Sequence, residues 1–165
     1  MWVHLSLGSN IGKREEYLAS ALRLLRLTPD TEVRAVSEMY LCDPVGENLN
    51  GYFFNIVVCI ETGLELPECR KRLLEIEQSL GKGKTPENGD RTIDIDIIFA
   101  GDLDGQYDDL RIPHPEYSRR DFVLLPLQEL EDTLNEKQRE DVRKHLARSR
   151  VQGEPVCLRY KKMVY

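Results

Sequence analysis

The amino-acid sequence predicts an α+β sandwich built on the element order β-α-β-β-α-β, with additional elements after it. Three observations predict this. The N-terminal residues alternate at the period of a strand, two later stretches repeat at the period of a helix, and two β-branched runs read as buried strands.

In WVHLSL, residues 2 to 7, Val3, Leu5 and Leu7 alternate with Trp2, His4 and Ser6 before GSN breaks the pattern. From Lys13 to Thr28 the apolar positions Tyr17, Leu18, Ala21, Leu22, Leu24 and Leu25 recur at helical spacing until Pro29 and Asp30 stop them. Thr31 to Tyr40 alternates weakly and reads as one strand, and LCDPVGENLNG after it reads as a loop. YFFNIVVCIET is an almost unbroken apolar strand with one amide, Asn55, inside it. Pro67 suits a first helical turn, and Leu66, Cys69, Leu73, Ile76 and Leu80 repeat at spacings of three and four before Gly81. The charged loop KGKTPENGD then leads into GDRTIDIDIIF. This is the split βαβ pattern of a ferredoxin-like sandwich, with two helices on one sheet face. Beyond it come RIPHP, RRDFVLLPL, a charged helix from about Leu130 to Arg150, and a short strand VCLRY. One domain over 1–165 is expected, with a core over about 1–128 and a charged helical tail over about 130–165 whose polar run is most simply a solvated face.

With 165 residues, 41% of them hydrophobic, the chain can bury one real core. A net charge of -6 argues against a nucleic-acid partner, which would call for a basic face. Cys42, Cys59, Cys69 and Cys157 show no C-x-x-C spacing and no neighbouring His pair, so free, buried or half-buried thiols are expected rather than a zinc site or a disulfide framework. No stretch approaches the roughly 20 apolar residues that span a bilayer, so no membrane partner is expected, and with free thiols the chain reads as cytoplasmic; a monomer is expected.

Within GDRTIDIDIIF, strand alternation sends Ile93, Ile95, Ile97 and Phe99 to one face and Asp94, Asp96 and Ile98 to the other. The two aspartates then sit about 6 to 7 Å apart at Cα on one surface, where their repulsion calls for a cation. Hard oxygen ligands of this kind suit Mg²⁺ carrying substrate phosphates. A bare D-x-D is short and common, and an acidic exposed face is its ordinary meaning. Here Lys82, Lys84 and Arg91 precede the pair and His114, Arg119 and Arg120 follow it, which makes sense around a metal-bound polyphosphate. GKGKT is not a P-loop, because Gln78 occupies the position of the first Gly and the segment follows a helix instead of opening one. Glu77 is a minor candidate on the nucleotide side, with an ordinary solvent-facing helix position its simpler reading.

Several separated motifs together resemble the 6-hydroxymethyl-7,8-dihydropterin pyrophosphokinase family of the folate pathway. They are LGSN (7–10), FFN (53–55), DRTIDIDII (90–98), IPHP (112–115) and RDFVLLPL (120–127), in the family's order. The resemblance implies transfer of pyrophosphate from ATP to a pterin alcohol. It implies that Asp94 and Asp96 hold two Mg²⁺ ions, that Lys82, Arg91 and Arg120 act on the transferring phosphates, and that Lys84, Arg111 and His114 contact ATP. It places Pro44, Val45, Phe53, Asn55 and Phe122 around the pterin, the two rings stacking and the amide pairing with the heterocycle's edge. Lys82 and Lys84 stand where Arg is frequent in the family, and Lys cannot fork onto phosphate. Two other classes remain open from the residues alone: a binding module of the same fold, and a metal-dependent phosphotransferase with another substrate.

Overall fold

The computed structural model of the chain describes residues 1–43, 51–82, 90–152 and 157–163. Strand β1 (Trp2–Ser9) is followed by helix α1 (Arg14–Leu27), strands β2 (Thr31–Val36), β3 (Met39–Cys42) and β4 (Phe53–Thr62), helix α2 (Leu66–Ser79) and strand β5 (Asp94–Ala100). A hairpin of β6 (Gly105–Tyr107) and β7 (Leu110–Ile112), helices α3 (Asp121–Glu129) and α4 (Glu136–Gln152), short 3-10 turns at Tyr117–Arg119 and Glu131–Thr133, and strand β8 (Cys157–Lys161) complete the described elements. The main sheet runs β5-β1-β4-β3-β8, with β2 also on β4, and every pairing in it is antiparallel.

The weakly alternating segment 31–40 is two strands and not one. The break falls at Ser37, whose backbone N–H donates to Val57 O and whose hydroxyl accepts the Val57 N–H, both at 2.9 Å. A buried Ser thus takes over the ladder for one residue, β2 pairs with the far end of β4, and β3 pairs with Phe53 to Asn55. Leu41 and Cys42, read from sequence as loop, extend β3.

Helices α1 and α2 cover one face, where Leu18, Leu22, Leu25, Leu73 and Ile76 pack on Leu5, Leu7, Ile56 and Ile95. Each such fully buried side chain contributes about 1.5–3 kcal/mol. The opposite face is covered too. Val123, Leu124, Leu127, Leu130, Leu134, Val142 and Leu146 pack on Val57, Cys59, Ile98 and Phe99. The charged tail is therefore amphipathic, not simply solvated, because its few apolar residues are the ones placed against the sheet. Phe99 also departs from simple alternation and joins Ile98 on this second face. Leu5 pairs with Ile97 while His4 pairs with Phe99, so Ile98 is an extra residue that reverses the parity after it.

Cys42 and Cys157 form a disulfide across the antiparallel β3–β8 pair, contrary to the expectation of free thiols. Their separation of 115 residues left no spacing to read, and only the tertiary pairing brings them together. Cys59 and Cys69 are free and buried, as expected. Among the described residues no helix is long and apolar enough to cross a membrane.

His4 is fully enclosed between β1 and the segment after α3. Thr133 donates its one hydroxyl proton to Leu130 O at 2.7 Å, so at 2.8 Å the His4 Nε2–H must donate to Thr133 Oγ1. That leaves Nδ1 unprotonated, buried and without a partner among the described residues. Burial accordingly lowers the His4 pKa to about 4, and Phe99 packs edge-on at 5.9 Å. Between that value and the roughly 6.5 of a free imidazole the unfolded chain binds a proton that the native chain excludes. Stability is therefore whole above pH 6.5 and is lost as pH falls, by about 3 kcal/mol on reaching pH 4. Urea unfolding at pH 7, 5.5 and 4 should show this slope in the native chain and its loss in His4→Gln; identical slopes would contradict it.

Candidate active site

The antiparallel register assembles the site. Asp94 on β5 lies opposite Gly8 on β1, Gly8 lies opposite Asn55 on β4, and Asp96 lies opposite Ser6. Residues in one cross-strand row share a face, and Phe53 joins them two positions before Asn55. These side chains form one wall of a cavity of about 350 Å³, which Arg91, His114, Arg120 and Phe122 close from the connecting segments and the start of α3. Gly8 is required by proximity, since a Cβ there would lie 2.9 Å from Asn55 Oδ1.

The acidic pair is held by cations. Asp94 Oδ1 accepts from Lys82 Nζ at 2.9 Å and Asp94 Oδ2 pairs with Arg91 Nη1 at 3.0 Å. Asp96 Oδ2 lies 3.6 Å from Arg120 Nη1 and 3.8 Å from His114 Nε2. Burial first, and then the charge of Asp94, push the Asp96 carboxyl above its ordinary pKa. For Lys82, burial works against the charge, but hydrogen bonds to Asp94 and Glu77 outweigh it and hold the ammonium above its ordinary range. The His114 ring accepts the Glu116 N–H at Nδ1 over 3.1 Å, which places its proton on Nε2, facing Asp96; burial lowers its pKa.

Glu77 is not a solvent-facing helix residue. It is 1% exposed, and its Oε1 accepts both Lys82 Nζ at 2.5 Å and the Ile95 N–H at 2.7 Å. It thereby fastens α2 to the acidic strand and fixes Lys82 beside Asp94. Asn10 does the same from the other side. Its Nδ2 donates to Asp90 Oδ1 at 2.6 Å, its Oδ1 accepts the Arg91 N–H at 2.8 Å, and its own N–H donates to Arg91 O at 3.3 Å. Arg91 is thus delivered over the ring of Phe53, 6.0 Å from its centroid, and Arg120 lies 5.7 Å from the centroid of Phe122. Arg91 Nε and Asn55 Nδ2 are buried donors without a partner among the described residues.

Of the residues singled out from sequence, Phe53, Asn55, Arg91, Asp94, Asp96, His114, Arg120 and Phe122 line the one cavity, with Lys82 against Asp94. Arg111 stands apart on β7, where it contacts Asp104 at 3.3 Å and Ile112 O at 3.1 Å. Pro44, Val45 and Lys84 lie outside the described residues. Asp109, near Arg111 in sequence, pairs with Arg70. Sequence reasoning missed Ser6, Asp43, Asn10 and the burial of Glu77. The last had a signal, since Glu77 follows Leu73 by four and so borders the apolar stripe.

A model of the 7,8-dihydro-6-hydroxymethylpterin-pyrophosphokinase family matches residues 4–132. Among curated relatives, the bifunctional protein FolKE of Lactococcus lactis is 44% identical over 129 residues, which are 78% of this chain and 37% of that protein. The chain thus spans little more than a third of that relative. The 2-amino-4-hydroxy-6-hydroxymethyldihydropteridine pyrophosphokinase of Bacillus subtilis is 39% identical over 127 residues, 77% of this chain and 76% of that one. Among solved structures, Plasmodium falciparum HPPK-DHPS with pteroate has a TM-score of 0.64 at 15% identity, covering 92% of this chain and 45% of that chain, a likeness of fold.

Replacing Gly8 by Ala should drive the Asn55 amide out of place and lower stability by about 1–3 kcal/mol, the usual result of inserting a methyl into a packed site. Side-chain amide NMR signals of Asn55 together with denaturant unfolding would show it. An unshifted Asn55 signal in Gly8→Ala would contradict the close-approach argument.

Proposed function

The chain belongs to the 7,8-dihydro-6-hydroxymethylpterin-pyrophosphokinase family, and from that premise we propose that it transfers pyrophosphate from ATP to 6-hydroxymethyl-7,8-dihydropterin, giving AMP and the pterin diphosphate. The observation that carries this reading is the meeting, in one cavity, of an acidic pair ringed by cations with two aromatic rings and a buried amide nitrogen that has no partner among the described residues. The first half suits a polyphosphate and the second a flat heterocycle. Neither half alone would select between phosphotransferases of this fold.

Mg²⁺ is assigned to Asp94 and Asp96. The donor set fits it: two hard carboxylates face one cavity, and among the described residues no group of three or more His, Cys, Asp or Glu makes an all-protein cage. Such an incomplete shell suits an ion that keeps water and takes phosphate oxygens as further ligands. The raised pKa of Asp96 has the same meaning, since a carboxyl short of positive charge holds its proton or takes a cation. When bound, the metal neutralises the triphosphate and fixes its orientation.

The chain's own residues supply the rest. Lys82 and Arg91, held on Asp94, are within one side-chain rotation of a phosphate placed beside it; Glu77 anchors the Lys82 ammonium, and Asn10 fixes the backbone from which the Arg91 side chain swings. Arg120 at the start of α3 supports the transferred group from the Asp96 side. Phe53 and Phe122 flank the pterin, and Asn55 Nδ2 donates to an acceptor on its edge, which satisfies the partnerless donor. Transfer of this type needs the substrate hydroxyl in line with the β-phosphorus and the charge neutralised, with little covalent chemistry from protein. His114 presents Nε2–H toward Asp96 and is a donor there, so it is not the base, and the hydroxyl proton leaves to water. The ferredoxin-like reading of the core is supported by the strand order β5-β1-β4-β3 with α1 and α2 on one face.

A coupled assay with ATP, Mg²⁺ and the pterin alcohol should yield AMP; formation of ADP, or no turnover, would sink the proposal. Asp94→Ala and Asp96→Ala should each lower kcat by at least about a hundredfold, the scale of losing a preorganised charge contact. Their melting temperatures should stay close to that of the native chain. Phe53→Ala and Phe122→Ala should weaken pterin binding by about tenfold each while leaving binding of an ATP analogue near its original value. Equal losses for both ligands would remove the division of the cavity into two halves.

A further inference from the structure

We propose that strand β8 is a redox-tethered part of the pterin side of the site, so that opening the Cys42–Cys157 bridge weakens pterin binding and spares the nucleotide. The proposal rests on the pterin reading above. It starts from register. Cys157 lies opposite Cys42, and Cys42 lies opposite Phe53, the ring that lines the cavity. Side chains in such a row stand on one face as neighbours, so the bridge abuts Phe53 from outside. The residue after Cys42 is Asp43, which itself lines the cavity.

The adjacent row repeats the connection. Arg159 lies opposite Tyr40, and Tyr40 lies opposite Asn55. The Tyr40 hydroxyl donates to Glu129 Oε1 of α3 at 2.7 Å, and Arg159 Nη2 reaches the same oxygen at 2.7 Å. Both pterin-facing positions of β4 are therefore backed by β3, and β3 is backed by β8.

Besides the disulfide, β8 is held by its ladder with β3, by Arg159 on Glu38 and Glu129, by Lys161 on Glu15, and by Met163 buried just after it, but the disulfide alone ties it covalently to the strand beside Phe53. Strand β8 pairs on one side only, at the end of the sheet. Leu158 and Tyr160 are 60% and 50% exposed, and the ion pairs of Arg159 and Lys161 are open to solvent. Tyr160 stacks on Phe54 at 5.1 Å on the far face. Removing the covalent link leaves Cys42, beside Phe53, joined to β8 only by the noncovalent ladder and its flanking contacts, and so loosens the backing of the pterin wall.

Reduction by a dithiol opens the link in two balanced steps. One thiolate attacks Sγ of Cys157, the more accessible sulfur since Cys42 is 1% exposed, and expels Cys42 as a thiolate that takes up a proton. The second thiol of the reagent then attacks its own sulfur in the mixed disulfide, releases Cys157 and leaves as a cyclic disulfide with the two electrons donated. Cys59 and Cys69, whose pKa values burial pushes up to about 11, remain thiols throughout and serve as an internal control.

The test uses the full chain equilibrated with glutathione disulfide or with dithiothreitol, and Cys157→Ser. Each is titrated calorimetrically with α,β-methylene-ATP and Mg²⁺, and then with 6-hydroxymethylpterin. The reduced chain and Cys157→Ser should bind the pterin at least about fivefold more weakly than the oxidised chain, with nucleotide affinity within about twofold. Amides of 157–161 should exchange faster after reduction. Equal pterin affinity in both redox states overturns the tether, as does alkylation of all four cysteines in the chain equilibrated with glutathione disulfide. Pterin binding in neither state, with nucleotide binding intact, overturns the pterin reading itself and the tether with it.

Discussion

Two carboxylates two residues apart on one strand, partly withdrawn from water, cannot both stay ionised at low cost without positive charge between or around them. Asp94 and Asp96 are in that position, and the surrounding structure is arranged to meet the demand. Lys82 and Arg91 engage Asp94, while Arg120 and His114 approach Asp96. These contacts are partly exposed and so contribute little to stability. Their consequence is positional. Cations that have a carboxylate to rest on are held where, on the proposed reading, a phosphate arriving with its own metal would find them and exchange one set of counter-charges for another. Glu77 is the one buried anion of the set, and by accepting both Lys82 and the Ile95 amide it makes that position rigid.

The sheet supplies the second constraint. Asp94, Gly8, Asn55, Tyr40 and Arg159 form a single row across five strands. One row thus joins the acidic pair to the aromatic wall and to the C-terminal strand, and a Cβ at position 8 would displace the Asn55 side chain, 2.9 Å away. Adjacent positions on β4 divide the work. Phe53 and Asn55 face the cavity, while Phe54 and Ile56 face the layer of α1 and α2. A continuous apolar run carrying one amide is the sequence signature of a strand buried on both sides that must also bind something polar.

The core of the fold was legible because it is written in local periodicity: alternation in β1, spacings of three and four in α1 and α2, and β-branched runs in β4 and β5. The acidic pair and the two aromatic residues were legible as motifs, and the register brings them to one cavity. What escaped is what tertiary pairing decides. Ser37 splitting one strand into two, the extra residue Ile98 turning Phe99 to the other face, and Cys42 meeting Cys157 all depend on partners distant in sequence. Asn10 escaped for a related reason: a turn residue after a strand is ordinarily a turn residue, and its three contacts to Asp90 and Arg91 appear only when the 90–91 segment is laid beside it. Arg111 shows the converse, a residue of suitable charge that the hairpin directs to Asp104 instead of the cavity.

The most direct test of this account is a crystal structure of the chain with Mg²⁺ and α,β-methylene-ATP. The account predicts a cation against the carboxylates of Asp94 and Asp96, with Lys82 and Arg91 drawn from Asp94 onto phosphate oxygens. A bound nucleotide with no ion at that pair, and with Lys82 and Arg91 still resting on Asp94, would contradict it.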